Sequence, residues 1–303
     1  MIYTVTLNPS IDFIVRLDAL EIGAVNRMES DDKFAGGKGI NVSRILQRLG
    51  YDSTATGFMG GFTGRFVTEG LAAEGIKTKF VQVDQDTRIN VKIKADHETE
   101  INGTGPIITD KQLAELEELL SQVTPEDVVV FAGSAPSNLG NQVYNRLIPL
   151  VKNAGAQVVC DFEGQTLLDS LVYQPLLVKP NNHELAAIFD VELNGIDDVE
   201  RYARQILAKG AQNVIVSMAG DGALLVTPEA AYFAKPIRGQ VKNSVGAGDS
   251  MVAGFTGEFI ASGNPLEALK WGVACGTATA FSDDLASIDF IKETFEKVEV
   301  EKR

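Results

Sequence analysis

Four stretches of the chain combine residue types that can hold an anion or move a proton. In Asn243-Ser244-Val245-Gly246-Ala247-Gly248-Asp249 a glycine turn leads into Ser250–Phe259, where Val252, Phe255 and Phe259 can share one buried helical face. A helix that opens on such a turn presents backbone N–H groups with no intrahelical acceptor, and these can stabilise a transferring phosphoryl group. Asp249 stands beside that anion hole, where a carboxylate can take a proton from an attacking hydroxyl. Its alternative role is that of an ordinary helix-start carboxylate. Met251 occupies the place of a third glycine, so the stretch is not a dinucleotide fingerprint.

The other three stretches complete a set. Gly36-Gly37-Lys38-Gly39-Ile40-Asn41 precedes the helical pattern Val42–Leu49; its glycines let amides approach a polar ligand, and Lys38 adds a charge. It is not a P-loop, because Gly39 replaces the required Ser or Thr. Lys179-Pro180-Asn181-Asn182-His183-Glu184 follows an expected strand and sets Asn181 and Glu184 three apart on one helical face. That pair can hold hydrated Mg²⁺ or simply cap a helix. Ser217-Met218-Ala219-Gly220-Asp221-Gly222 follows the apolar run Val214–Val216 and reads either as a nucleotide-lining turn or as a hairpin. Together the four supply the parts needed to move a phosphoryl group onto an alcohol.

The elements that must position these residues follow from periodicity. Short apolar runs rich in β-branched residues, Ile2–Leu7, Val128–Phe131, Gln157–Cys160, Leu176–Val178 and Val214–Val216, alternate with helical patterns. The alternation predicts βαβ units and a mainly parallel sheet buried on both faces. Thr109 to Gln112 has the form of a capping box ahead of Leu113, Leu116, Leu119 and Leu120, and a second helix is expected over Val199–Leu207, stopping near Gly210. Two segments have period two instead. Ile11, Phe13, Val15 and Leu17 oppose Asp12, Ile14 and Arg16, while Ile89, Val91, Ile93 and Ala95 oppose Arg88, Asn90, Lys92 and Lys94. They are expected to form a small separate sheet, its polar groups toward a ligand and its apolar groups toward a cover such as a partner subunit.

Composition narrows the classes. The 303 residues carry 41 acidic and 27 basic side chains, a net charge of −14 that opposes a polyanion such as DNA but leaves room for a small phosphorylated ligand met by local cations. Cys160 and Cys275 read as buried hydrophobes, and His97 and His183 lack zinc-type spacing. With no signal-peptide pattern at the amino terminus and no apolar segment long enough to span a bilayer, the expected location is cytoplasmic.

Asn8-Pro9-Ser10-Ile11-Asp12, Gly36–Asn41, Asn181-x-x-Glu184 and Ser244–Gly254 together resemble the ribokinase-type, or PfkB, carbohydrate kinases over nearly the whole chain. The segments Asp86–Lys92, Glu98–Gly103, Ser217–Leu224 and Asn243–Ser250 are most similar to the family's bacterial 1-phosphofructokinase branch. The resemblance implies one ribokinase-like α/β domain over residues 1–303, a doubly wound, mainly parallel sheet flanked by helices, with a discontinuous β lid at about 11–34 and 87–105. It further implies ATP and Mg²⁺, fructose 1-phosphate as acceptor at its C6 hydroxyl, and fructose 1,6-bisphosphate as product. Asp249 would be the base, with Gly246, Ala247 and Gly248 forming the anion hole. Asp12 and Asn41 would hold sugar hydroxyls in a site shared with Gly37 and Gly39, and Lys38, Arg88 and Asn90 would meet the substrate phosphate. Ser217, Ala219, Gly220, Asp221, Gly222, Ser244, Gly246 and Gly248 would line the ATP site, and Asn181 and Glu184 would organise Mg²⁺ through water. A homodimer through the lid is expected. The alternatives are tagatose-6-phosphate kinase, a minor 6-phosphofructokinase, or a non-catalytic sugar-phosphate sensor.

Overall fold

Strands and helices alternate along most of the chain in the computed structural model, which describes residues 1–303. In chain order the first half comprises β1 (Ile2–Thr6), β2 (Ser10–Arg16), β3 (Ser30–Gly36), α1 (Lys38–Leu49), β4 (Ser53–Gly60), α2 (Gly61–Ala73), β5 (Lys77–Val83), β6 (Arg88–Lys94), β7 (Glu98–Asn102), α3 (Asp110–Ser121), β8 (Val128–Ala132) and α4 (Tyr144–Asn153). The second half comprises β9 (Gln157–Asp161), α5 (Gly164–Ser170), β10 (Leu177–Val178), α6 (Asn182–Phe189), α7 (Ile196–Ala208), β11 (Val214–Ser217), β12 (Ala223–Val226), β13 (Ala231–Ala234), α8 (Ala247–Ser262), α9 (Pro265–Ala280), α10 (Ile288–Phe295) and β14 (Val300–Lys302).

Ten strands form one sheet in the order β14-β13-β12-β11-β10-β9-β8-β1-β4-β5. From β5 to β11 every pairing is parallel, and the β11, β12, β13 and β14 pairings are antiparallel. Alternate side chains of each strand face opposite helical layers. Val129, Phe131, Val158 and Cys160 pack with α3, α4, α5 and α7, whereas Val128, Val130 and Val159 pack with α1, α8, α9 and α10. The two cysteines are buried and unpaired, as their apolar settings predict.

All five expected strands are present, and α3 begins with the capping box that Thr109 and Gln112 predict. Helix α7 starts at Ile196, ahead of the expected Val199, because Asp197 and Asp198 favour its first turn. Strands β4, β5, β12, β13 and β14 lack a clear sequence signal. β4 reads STATGFMG, and its small, partly polar residues are nonetheless all buried between β1 and β5. β14 lies in the charged end segment and is an edge strand, where Glu301 and Lys302 remain exposed.

The period-two segments do form a second sheet, in the order β3-β2-β6-β7. Register pairs Ile11 with Ile89, Phe13 with Val91 and Val15 with Ile93 on one face, and Asp12 with Asn90 and Ile14 with Lys92 on the other. The polar face turns inward: Asn90 and Lys92 are buried, while Ile89 is 40% and Ile101 58% exposed on the apolar side. Only the base of that apolar face is covered, where Ile11 packs with Val67 and Leu71 of α2.

One ion cluster, built on a buried arginine with two half-buried carboxylates, ties the two ends of the chain together. Arg44 of α1, 5% exposed, donates through Nη1 and Nη2 to both oxygens of Asp284 at 3.1 and 2.6 Å and through Nε to Glu74 at 2.7 Å. Arg48, one turn on, donates to the carbonyls of Leu285 and Ala286. The segment held in this way rests on the start of α8, since a Cβ added to Gly246 would lie 2.7 Å from Leu285 Cδ2. Arg44→Ala would strand Asp284 and Glu74 without their partner. The expected loss is about 3 kcal/mol of unfolding free energy, measured by urea titration; a loss below about 1 kcal/mol would show that the cluster behaves as a surface pair.

Candidate active site

The parallel strands deliver their carboxyl ends to one cleft, the usual place for ligands in an open α/β sheet. The cleft encloses about 390 Å³, and Val245 is the one hydrophobic residue among the 16 that line it. Asp161 ends β9, Lys179 follows β10 and Ser217 ends β11, so three adjacent strands place three polar groups side by side. The start of α8 forms another wall, α1 and its preceding Gly37 another, and the polar face of the small sheet the last.

Asp249 lies in the first turn of α8 and is 6% exposed. Asn41 Nδ2 donates to its Oδ2 at 2.8 Å. Burial and, next, the charge of Asp161 push its pKa up to about 6, against the opposite pull of Asn41, Lys38 and Lys179. Gly246 at the N-cap has φ 79°, a left-handed conformation that glycine tolerates, and no side chain caps the helix. The Ala247 N–H donates to the Ser244 carbonyl at 3.3 Å, and the next amides of the turn retain their capacity for an anion.

On the opposite wall, Asp12 Oδ1 accepts from Ser10 Oγ at 2.8 Å and Asn90 Nδ2 at 3.1 Å, and its Oδ2 lies 3.4 Å from Lys92 Nζ. A Cβ on Gly36 would come within 2.5 Å of the Asp12 carboxyl carbon, so glycine is required for this carboxylate to lie where it does. Arg88 donates through Nε to the Asn8 carbonyl at 3.1 Å and through Nη1 to the Gly103 carbonyl at 3.2 Å, leaving Nη2 for a ligand.

The structure brings Asp12, Gly37, Lys38, Asn41, Arg88, Asn90, Asn181, Glu184, Ser217, Gly246, Gly248 and Asp249 together, as expected from their motifs. The other expected residues lie outside the cleft lining or have further contacts. Gly39 is buried against β1, where a Cβ would meet Thr6 Oγ1 at 2.5 Å, so close packing there requires glycine. Ala219, Gly220, Asp221 and Gly222 lie outside the cleft lining: this stretch is the turn joining antiparallel β11 and β12, and only Ser217 reaches the cleft. Ser244 is exposed, and Ala247 is absent from the lining although it starts α8. Lys38 does not share partners with Arg88; its Nζ lies 3.4 Å from Glu163 Oε1 and 3.8 Å from Asp161 Oδ2.

Asn181 and Glu184 make a reciprocal capping box, each side chain accepting the other's backbone N–H at 2.8 Å. Burial raises the Glu184 pKa. The pair still borders the cleft, and one Glu184 oxygen stays outside the box. No group of three or more His, Cys, Asp or Glu is arranged to hold a metal ion. A single carboxylate fits a cation that keeps most of its water, as Mg²⁺ does, better than one needing a full protein cage.

Ser10, Lys92, Asp161 and Lys179 are functional candidates outside the sequence assignments. Lys179 stands in the Asn181 motif, and Asp161 directly follows the apolar run Gln157–Cys160. Their position at carboxyl ends of neighbouring strands was the available signal.

Residues 5–288 match the model of the pfkB family carbohydrate kinases. A Bacillus subtilis protein named 1-phosphofructokinase is 46% identical over 301 residues, covering 99% of both chains. A Bacillus licheniformis D-tagatose-1-phosphate kinase is 36% identical, again over 99% of each. The crystal structure of Escherichia coli phosphofructokinase-2 in complex with substrates and products superposes with a TM-score of 0.93 at 30% identity, covering 98% of both chains. With a family match spanning the sheet, the glycine turns and Asp249, and relatives aligned end to end, the chain belongs to the pfkB family of carbohydrate kinases.

Proposed function

We propose that the protein transfers the γ-phosphoryl group of ATP to the C6 hydroxyl of fructose 1-phosphate, giving fructose 1,6-bisphosphate and ADP. The observation that carries this reading is Asp249: a buried carboxylate with a raised pKa, oriented by Asn41 and placed in the uncapped first turn of α8. Asp249 takes the C6 proton, and the α8 amides hold the negative charge that spreads over the phosphoryl oxygens. Asp12, with Asn90 and Ser10 fixing its Oδ1, accepts from sugar hydroxyls, and Arg88 meets the phosphate already on the sugar. Ser217, Gly246 and Gly248 face the nucleotide. Asn181 and Glu184 hold hydrated Mg²⁺, which when bound neutralises charge on the nucleotide phosphates.

The choice of fructose 1-phosphate rests on the 46% identical relative, and the 36% identical tagatose-phosphate kinase supports the second reading, a tagatose phosphate as acceptor. A coupled assay of fructose 1-phosphate, fructose 6-phosphate, tagatose 1-phosphate and tagatose 6-phosphate should favour the first in kcat/KM. A preference of about tenfold, 1.4 kcal/mol, for any other would replace it.

Asp249 also sets a pH dependence. The base works ionised and its pKa is raised, so kcat/KM should fall as pH drops below about 6, whereas an unshifted aspartate would sustain activity to about pH 4. Asp249→Asn should lower kcat by about 10²-fold or more with sugar-phosphate affinity little changed. Near-normal turnover in that variant would remove Asp249 from the base role.

We further propose that the small sheet is a lid whose apolar face pairs with the same face of a second copy. The exposed Ile89 and Ile101 support this, because Phe13, Val91 and Ile93 continue the face. Light scattering should give a dimer for the native protein and a monomer for Ile89→Lys/Ile101→Lys; a monomeric native protein would exclude the pairing.

A further inference from the structure

The cations of the cleft fall into two groups with no shared partner. Arg88 belongs to the small sheet and anchors to the carbonyls of Asn8 and Gly103, with Asp12 as its nearby carboxylate. Lys38 begins α1, and its stem runs past Gly133 after β8, where an added Cβ would lie 3.6 Å from Lys38 Cβ. Its ammonium lies between Asp161 at 3.8 Å and Glu163 at 3.4 Å. Asp249 and Glu184 also act on its charge, and the sum of these acids, Asp161 foremost, raises its pKa against the effect of burial.

Asp161 is shared. Its Oδ2 faces Lys38 and its Oδ1 lies 3.4 Å from Lys179 Nζ, and both Asp161 and Lys179 are buried. Lys179 Nζ lies 3.1 Å from the point where a Cβ on Gly248 would project, so it stands against the first turn of α8. One buried carboxylate therefore holds two ammonium groups on the side of the cleft that carries the base and the free amides. Two ammonium groups therefore stand among the acids on this side of the cleft, where they can offset charge on the phosphoryl group in flight.

Resting on the kinase reading above, we propose that Lys38 is a catalytic residue that contacts the phosphoryl group in transfer, not a reader of the phosphate already on the sugar, and that Asp161 is the positioning residue that holds it there with Lys179. In the step concerned, the acceptor hydroxyl gives its proton to Asp249 as its oxygen bonds to the γ-phosphorus. The bond from that phosphorus to the β–γ bridging oxygen breaks, and the electron pair leaves with ADP. Lys38 neither gains nor loses a proton. Its ammonium offsets the charge on the non-bridging oxygens while both P–O bonds are partial.

The test separates turnover from sugar-phosphate binding, using whichever ketohexose phosphate the native enzyme turns over best. A different preferred acceptor would then overturn the fructose 1-phosphate assignment without touching the role of Lys38. Lys38→Met keeps the stem and removes the charge. It should lower kcat by about 10²-fold while the sugar-phosphate Kd, measured by calorimetry without ATP, stays within about threefold. Arg88→Ala should instead raise that Kd by about tenfold or more. Lys38→Arg, which restores the charge, should recover part of the lost kcat. A Kd raised about tenfold in Lys38→Met, with or without a change in kcat, would overturn the assignment.

Asp161→Asn gives an independent readout, because Asp249 is faced by Asp161 from β9, by Lys38 and Asn41 from α1 and by Lys179 after β10. Removing the one negative neighbour leaves two positive ones, so the acid limb of the pH profile should move to lower pH as kcat falls. A fall in kcat with an unmoved limb would reduce Asp161 to a structural role and overturn its half of the proposal.

Discussion

Burying a carboxylate beside other carboxylates is unfavourable unless donors and cations surround it, and Asp249 imposes that requirement on the whole cleft. Removal from water raises its pKa toward neutrality, the range in which a carboxylate can exchange protons. Its ionised form is favoured in turn by Asn41 on one oxygen and by Lys38 and Lys179 nearby. Those lysines in turn would repel one another without Asp161 between them. Each charge is held in place by the next, and the site is an alternating cluster with no single dominant sign.

The sheet makes this arrangement possible at low conformational cost. Adjacent parallel strands end at the same level, so Asp161, Lys179 and Ser217 emerge as neighbours although they are distant in sequence. Rigid elements then supply the rest. α8 is fixed by close packing on α9, where a Cβ on Gly254 would meet the Trp271 carbonyl at 2.6 Å, and its first turn is braced by Leu285. That brace depends on Arg44 and Asp284, so an ion pair outside the cleft lining bears on the position of the first turn of α8. The small sheet is attached differently, through Arg88 to backbone carbonyls at its base and through Ile11 to α2, which leaves most of its apolar face free.

What could be read in advance depended on whether the signal was local. Glycine turns opening helices, the capping box at Thr109, the apolar runs of the central strands and the alternation in β2 and β6 are all short-range patterns, and each lies where expected. β4 escaped notice because its residues are small and polar enough to resemble a loop, and burial there is imposed by neighbours on both sides. Gly39 and the Ala219–Gly222 turn lie outside the cleft lining for a related reason: a glycine that packs against a strand and one that lines a cleft look alike in sequence. Lys38 is the instructive case. Its residue type announced an anion partner, but which anion depends on Asp161 and Glu163, over 120 positions away.

The same contrast explains how an acidic protein can bind anionic ligands. A net charge of −14 sets an unfavourable long-range field, and the cleft itself is lined by four acids against three cations. Field strength at contact distance is decided by placement, since a Coulomb term falls with distance and is screened beyond about 8 Å at physiological salt. Lys179 stands against the first turn of α8, Lys38 shares Asp161 with it, and Arg88 offers one remaining arm of its guanidinium at the small sheet. Asp249 is a separate case, because in the proposed reaction it faces a hydroxyl. Its raised pKa limits the repulsion it exerts on an arriving phosphate, since near neutral pH it can share a proton more readily than an ordinary aspartate. In the proposed reaction, the burial that suits Asp249 to the role of base therefore also eases the approach of the phosphoryl group beside it.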